Sequence, residues 1–552
     1  MRGFTQRSRL RFMHGLLVVI CLAIVVRLID LSIVQRHFLV AQSRARILRE
    51  IPIAARRGII YDRHHQPLAI SVPVQAVWVD PSSFPLKNVS FQRLAQVVRV
   101  PFKTVKHRIL THSTREFVYI KRQVSDKLAK RVEALHIPGL YLRTEYKRFY
   151  PQGPLLSHLV GSTNIDERGQ EGIELCYNDW LRGVVGKKTV IRDRLGRTVT
   201  NLRVNRPAKH GHDVQLAVDT RIQYAAADAL KSAVVDNHAE SGSVVVLDAQ
   251  NGELLAMANY PDFDPNTHEG SMSDRRNRAI TDVFEPGSTM KPFTVVSALE
   301  SGKYNTKSII HTSPGWMRVG HFTIHDEANF GDVTLRRLLK KSSNIGAAKI
   351  MLSLDPKLYW QQLGVFGFGE RTHSNLPGEM AGRLLPRDRW LPSEVATMAY
   401  GYGISVTALQ LAHAYGMLAS GGINYPVSVM KLSEQPQGSR VIPKRVAHQV
   451  TDMLSAVLEK GGTGKRARVP GYRAAGKTGT ANIATPSGYD KTKVISSFVG
   501  YAPLEKPRFV VAVVIRKPQG HHFGALVAAP AFSKVMTASL RAWGVRPDGL
   551  GE

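Results

Sequence analysis

The N-terminus limits the fold of this chain more than any other stretch. Arg2, Arg7, Arg9 and Arg11 precede residues 12–26, which contain no Lys, Arg, Asp or Glu. Fifteen helical residues reach about 22 Å, short of a hydrocarbon layer of about 30 Å. A membrane span therefore has to run on past Arg27 to residue 34, with the Arg27 side chain snorkelling or paired. No small-x-small cleavage site follows the run, and no lipoprotein-like small residues precede Cys21. The segment reads as an uncleaved anchor, with the basic residues inside and the rest of the chain facing outward.

The remainder of the chain is long enough for two or three domains. A hydrophobic content of 43 % supplies buried cores, and the formal charge is +32. So basic a chain raises the question of nucleic acid. Its bases are spread out, however, and neither zinc-finger spacing nor an RNP-like aromatic-basic run occurs. Anionic lipid headgroups and cell-wall polymers are equally natural partners. Cys21 lies in the apolar run, so no disulfide with Cys176 is expected, and no Cys/His metal spacing can be built from the two.

Residues 35–57 are basic and read as helical. From 51 to about 206, short extended segments with Gly and Pro punctuation, and a helix near 125–135, suggest an elongated α+β region. A second domain begins near Gly211. It has a strand at 213–218, a helix capped by Thr220 and running to 235, and a hairpin of 243–247 and 253–258 turning at Asn251-Gly252. Helices come next at 334–339, 344–354, 407–419 and 446–458. Strands resume at 472–480, 494–501 and 509–515, before a last helix at 530–543. Strands from both ends around a helical centre predict one antiparallel sheet flanked by helices.

Three short motifs in this domain carry chemistry. Ser288-Thr289-Met290-Lys291 follows Glu285-Pro286-Gly287; Ser342-Ser343-Asn344 and Lys477-Thr478-Gly479-Thr480 come later. A serine hydroxyl needs a nearby base to become a nucleophile. A lysine three residues on along a helix shares its face. That lysine has to be neutral, which burial and a second cation such as Lys477 bring about. A helix start at Ser288 aims backbone N–H groups at a carbonyl under attack. Ser342 offers a proton relay, Asn344 an amide to hold substrate, and Lys477 with the Thr478 and Thr480 hydroxyls a clamp for a carboxylate. A strand edge at the third motif suits a peptide backbone.

An SxxK alone means little, since Ser428-Val429-Met430-Lys431 also matches, in an extended-looking stretch. Ser162-Thr163-Asn164 is likewise a spare SxN. Read singly, Ser288 is a helix cap and Lys477 a solvated charge. Only the Ser288, Ser342 and Lys477 motifs stand in order in fitting elements.

Together, SxxK, SxN and KTG make the chain resemble the penicillin-recognising serine acyl-transferases. The second motif is not the SDN usual in β-lactamases, and the ExxLN segment with which class A β-lactamases hydrolyse the acyl-enzyme is not found. Stretches 56–71 (RRGIIYDRHHQPLAIS), 148–174, 280–293, 339–346 and 399–422 resemble class B penicillin-binding proteins, most closely the division-specific FtsI-type transpeptidases. The resemblance runs from the anchor to the last helix. It implies a short tail at 1–11, a transmembrane helix at 12–34, a non-catalytic pedestal at 35–210, a transpeptidase domain at 211–545 with a helical subdomain, and a tail at 546–552. It implies a penicillin-sensitive D-Ala-D-Ala transpeptidase of the bacterial inner membrane, with its catalytic domain periplasmic and no metal or organic cofactor. Partners implied are peptidoglycan stem peptides, β-lactams, and a septal complex with an FtsW-type glycan polymerase. By motif, Ser288 looks like the nucleophile and Lys291 its base; Ser342 and Asn344 the relay and positioning pair; Lys477, Thr478, Gly479 and Thr480 the substrate clamp. The oxyanion hole implied is the N–H groups of Ser288 and Thr480.

Two places depart from the family pattern. His64-His65 fill a turn that commonly holds Gly, and His521-His522 replace a Gly- and Tyr-rich stretch, reading as a solvated loop at the groove rim. Competing readings are a D,D-carboxypeptidase or β-lactamase, marked by a water-activating carboxylate near Ser288, and a non-catalytic β-lactam sensor or division scaffold.

Overall fold

In the computed structural model, the described residues are 2–192, 198–267, 269–384, 391–485 and 488–549. A helix spans Arg2–Ile29 and continues through a π-helical turn, Asp30–Val34. Of this, Arg7–Val34 is long and apolar enough to cross a bilayer. Of the two arrangements open to Arg27, it is paired: its Nη1 donates to Asp30 Oδ2 at 2.6 Å, an oxygen Gln35 also reaches at 2.8 Å. The i,i+3 spacing puts both charges on one helix face.

The chain divides into two compact units. One comprises Met1–Arg56, Val72–Lys147 and Gly183–Gly211; the other Arg57–Ser71, Arg148–Arg182 and His212–Glu552. Two stretches of 35–210, residues 57–71 and 148–182, thus fall in the second unit. In the first unit the helix after the anchor covers Arg36–Ile47 only. Leu48–Ile53, expected as more helix, is a strand paired antiparallel with Gly186–Arg192, which pairs in turn with Thr198–Arg206. The change comes just ahead of Pro52, which disfavours the helical conformation at Ile51 and cannot continue a helix. A second core gathers Phe91, Leu94, Val105, Ile109 and Val132 from three amphipathic helices, Asn88–Val98, Phe102–Thr111 and Asp126–Glu133.

The C-terminal unit is built on a five-stranded antiparallel sheet. Its strands are β1 (Ser241–Asp248), β2 (Leu254–Tyr260), β3 (Ala475–Thr485), β4 (Gly488–Ala502) and β5 (Phe509–Arg516), in the order β2-β1-β5-β4-β3. Every residue of β1 is buried, so both faces of the sheet are covered. This explains the unbroken Val-rich runs, since alternation is expected only where one face is wet. The helices of this unit include α1 (Thr220–Asp236), α2 (Lys291–Glu300), α3 (Leu335–Lys341), α4 (Asn344–Ser353), α5 (Ala408–Ala419) and α6 (Gly524–Ala542), of which α2 packs on α3 and α4. Helices α1 and α6 pack on each other and on the sheet, and α5 packs on its central strands.

Differences from expectation are local. Helix α1 is capped by the Asp219 side chain, not by Thr220. Helix α6 begins six residues before Pro530, which sits inside it. Before it, His521 and His522 are exposed, as the loop reading had it. The His64-His65 turn keeps the shape a glycine would give, with His65 itself in the left-handed region (φ +59°). Asp62 Oδ1 holds that turn by accepting from the N–H groups of His64 and Gln66, each at 2.8 Å.

Candidate active site

Ser288 lies in a 3-10 turn, Gly287–Met290, that runs directly into α2, so its hydroxyl stands at a helix start. Gly287 has φ +57°, a conformation that costs a non-glycine residue about 1–2 kcal/mol, and a Cβ there would lie 2.9 Å from the Thr480 carbonyl oxygen. Gly479 answers from β3: a Cβ would meet Ser497 Oγ at 2.3 Å and Thr289 Cγ2 at 2.9 Å. These glycines let the Ser288 turn lie against the KTG strand.

Lys291 begins α2 with its side chain fully buried. Its Nζ is 2.9 Å from Ser288 Oγ, 3.0 Å from Ser342 Oγ and 2.7 Å from Asn344 Oδ1, with the Ser342 carbonyl oxygen at 2.5 Å. Burial pushes this amine well below the ordinary lysine value, and the Lys477 charge adds to the drop. As a neutral amine it donates to the Ser342 carbonyl and Asn344, leaving its lone pair for the Ser288 hydroxyl proton. Lys477, equally buried, donates to Ser342 Oγ at 3.0 Å and to Thr478 Oγ1 at 3.2 Å. Burial lowers it to about 7. One serine hydroxyl thus bridges two lysines.

Ser342 holds that place by an unusual backbone: it terminates α3 in the left-handed region, φ +59° and ψ +40°. Ser343 then caps α4, accepting from the Gly346 N–H at 2.9 Å. Thr480 Oγ1 accepts from the Gly524 N–H at 3.1 Å, which leaves its own hydrogen for a substrate carboxylate. The eight residues singled out in sequence thus fall on four adjoining pieces of backbone. The Ser428 decoy is elsewhere: its Oγ donates to the Met430 carbonyl, and Lys431 Nζ to the Arg63 carbonyl. The spare SxN ends in Asn164, whose Oδ1 closes a turn by accepting from Asp166 and Arg168 N–H groups.

Three supporting residues lie outside the sequence motifs. Asp326 accepts from Ser343 Oγ at 2.6 Å and from the N–H groups of Asn344 at 2.5 Å and Ile345 at 3.1 Å, fixing the second motif and the N-terminus of α4. Thr463 Oγ1 accepts from Thr478 Oγ1 at 3.1 Å. Glu285 Oε1 accepts from the Gly403 N–H at 2.7 Å and the Tyr489 hydroxyl at 3.0 Å. Its Oε2 is buried and has no partner among the described residues, and burial raises this carboxyl above its usual range. No local spacing marks these three; only the order Gly-Gly-Thr-Gly at 461–464 hints at a tight turn.

Comparison with known proteins identifies the family. Residues 242–537 match the penicillin binding protein transpeptidase domain, and residues 52–216 the penicillin-binding protein dimerisation domain. The chain is 39 % identical over 550 residues to the probable peptidoglycan D,D-transpeptidase PbpC of Pseudomonas aeruginosa, covering 99 % of this chain and 97 % of that protein. It is 38 % identical over 527 residues to the peptidoglycan D,D-transpeptidase FtsI of Escherichia coli K12, covering 94 % and 89 %. The crystal structure of a peptidoglycan synthetase from Bifidobacterium adolescentis superposes with a TM-score of 0.71 at 25 % identity, covering 91 % of this chain and 98 % of that one. With a serine and two buried lysines meeting on one hydroxyl, and both family domains in sequence order, the chain belongs to the class B penicillin-binding proteins.

Proposed function

We propose that Ser288 is the acyl-accepting nucleophile of a peptidoglycan D,D-transpeptidase and that Lys291 is its base. The observation that carries this is the 2.9 Å approach of a buried, pKa-depressed Lys291 amine to Ser288 Oγ. The protein itself is a serine-type, penicillin-sensitive transpeptidase of the FtsI/PenA kind acting in septal cell-wall synthesis.

In the proposed reaction the stem peptide enters with its terminal carboxylate on Lys477, Thr478 and Thr480, and its backbone along β3 beside Gly479. Neutral Lys291 takes the Ser288 proton as Oγ attacks the penultimate D-Ala carbonyl. The N–H groups of Ser288 and Thr480 stabilise the oxyanion. The C–N bond breaks, and the proton passes from Lys291 through the Ser342 hydroxyl to the leaving D-Ala amine. Asn344 holds the peptide. An acceptor amine then attacks the Ser288 ester, giving the cross-link and returning the proton. Glu285 does not serve as the water-activating carboxylate of a hydrolase, since one oxygen is bonded to Gly403 and Tyr489 and the other is shut away from solvent.

The same reading places the N-terminus in the cytoplasm and the catalytic unit in the periplasm, from the arginines ahead of the Arg7–Val34 span. It adopts 35–210 as pedestal and 211–545 as transpeptidase domain, and makes an FtsW-type glycan polymerase and other division proteins the partners. Intact-mass analysis after incubation with benzylpenicillin tests the nucleophile. A stable adduct is expected on the wild type and on Ser428→Ala, and none on Ser288→Ala. An adduct surviving in Ser288→Ala would overturn the assignment. Release of D-Ala coupled to incorporation of an added D-amino acid would then separate transfer from hydrolysis.

A further inference from the structure

A two-stranded hairpin beside the cleft carries a side-chain face to which the mechanism gives no part. Trp316–Val319 pairs with Phe322–His325 in the register Trp316↔His325, Met317↔Ile324, Arg318↔Thr323 and Val319↔Phe322. Since side chains alternate along a strand and opposite residues share a face, Trp316, Arg318, Thr323 and His325 lie together. All four are exposed, Trp316 at 53 % of its surface. On the other face Val319 and Ile324 are in the core of the C-terminal unit and Met317 packs against it, while Phe322, at the turn, is 63 % exposed. Three of the four inner residues thus seat the hairpin on the core beneath its outer face.

This platform is continuous with the catalytic cleft. The His325 carbonyl accepts from Asn344 Nδ2 at 2.9 Å, and the next residue, Asp326, anchors the Ser342-Ser343-Asn344 segment. Arg318 donates from Nε to the Gly320 carbonyl at 3.1 Å, which orients the guanidinium on the same face. We propose that the Trp316, Arg318 and His325 face docks the glycan strand whose stem peptide enters the Ser288 cleft, an inference that rests on the transpeptidase reading above.

The chemistry favours that occupant over a protein. An exposed aromatic ring offers a flat apolar surface to the C–H face of a pyranose, and its N–H end suits the wet side of such a contact. The Arg318 guanidinium beside it suits a carboxylate of the stem peptides that the strand bears. A protein interface, by contrast, needs about 800 Å² per partner with an apolar centre, and here one ring stands among Arg, Thr and His. A stem peptide is tethered to its glycan, so a strand delivering a peptide to Asn344 has this surface in reach.

The test uses the full chain in detergent micelles and soluble, un-cross-linked glycan–pentapeptide strands as probe. Binding is measured on Ser288→Ala chains, to prevent turnover, with and without Trp316→Ala or Trp316→Phe. Free pentapeptide and penicillin acylation of the Ser288 forms are the controls. Loss of one well-seated aromatic anchor predicts about tenfold weaker strand binding for Trp316→Ala. Trp316→Phe retains most of the binding, and free-peptide binding and acylation do not change. Undiminished strand binding by Trp316→Ala would overturn the proposal. So would a loss shared equally by free peptide and penicillin, which would make the hairpin a support for the second motif only. Failure of the unsubstituted chain to be acylated would strike the nucleophile assignment and leave the strand comparison readable.

Discussion

Lys291 and Lys477 are both fully buried and share the Ser342 hydroxyl, each 3.0 Å from it. The proposed chemistry needs Lys291 neutral and Lys477 charged. Acylation by penicillin is therefore expected to rise with pH as Lys291 gives up its proton, and to fall as pH passes about 7 and Lys477 loses the charge that holds a carboxylate. Stopped-flow rates across the pH range check this; a rate still climbing well above pH 7 would contradict the assigned charges. The same burial acts on stability. In the unfolded chain Lys477 keeps its proton up to the ordinary 10.5, whereas the folded chain releases it near 7. Within that window the unfolded state binds more protons, so stability rises with pH, by roughly 1.4 kcal/mol per unit for this one group. Below the window the full penalty remains. Lys477→Met removes that slope and abolishes acylation, so melting temperatures of the two chains converge as pH climbs from 7. Ser342 adds a strain of its own, since its left-handed backbone costs a residue with a Cβ about 1–2 kcal/mol. Ser342→Ala and Ser342→Gly both remove the bridging hydroxyl and both slow acylation. Only the glycine relieves the strain, and it is expected to be about 1 kcal/mol more stable than the alanine in parallel melts.

At the scale of elements, the site was readable in sequence where its chemistry is local. Ser288 and Lys291 are three residues apart at a helix start, and a tripeptide carries each remaining motif. Asp326 was not readable, because its role arises only when the hairpin brings a carboxylate over the N-terminus of α4, 16 residues ahead of Ser342. Helix ends show the same limit. The helices expected from 334 and 407 start one residue later, where Thr334 and Thr407 serve as caps accepting from Arg337 and Gln410 N–H groups. Pro530 misplaced the start of α6, since tertiary packing carries that helix across the proline. Asp326→Ala tests the hairpin's part: Ser343 Oγ and two N–H groups lose their acceptor, and leaving such groups unpaired costs about 1–3 kcal/mol. The larger consequence is displacement of Ser342 and Asn344 from Lys291, for which misplacements near 1 Å cost up to about 100-fold in rate. Acylation slowed far more than the fold is destabilised is the expected result. A variant with wild-type acylation would assign Asp326 to capping alone.

The whole molecule was least legible, because a boundary drawn in sequence assumes that each domain is contiguous. Here the chain joins the C-terminal unit in three separate stretches, and hydrophobic patterning cannot say which unit a short strand joins. Charge binds the early stretches. Arg57 and Arg148, 2 % and 4 % exposed, both grip Glu174, which is fully buried: Arg57 Nε reaches Oε2 and Arg148 Nε reaches Oε1, each at 2.6 Å. Arg57 also donates to the Glu174 and Glu167 carbonyls, and Arg148 to Ser71 Oγ. Residues 57–71 and 148–182 are thus closed around one carboxylate. A buried pair of this kind contributes little net stability against an apolar substitute, but removing one partner strands a charge and costs about 3–5 kcal/mol. Glu174→Ala strands two. Its stability is expected to fall by at least that free energy, read as a lowered melting temperature, with Glu174→Gln intermediate, because the amide still accepts one hydrogen bond. No atom of this triad contacts Ser288, Lys291 or Lys477, so the folded fraction of Glu174→Ala, assayed well below its melting point, should be acylated at the wild-type rate. An unchanged melting temperature would mean that packing of the two stretches, not the triad, holds them. Slow acylation in a fully folded Glu174→Ala chain would instead mean that the triad shapes the cleft through the backbone between them.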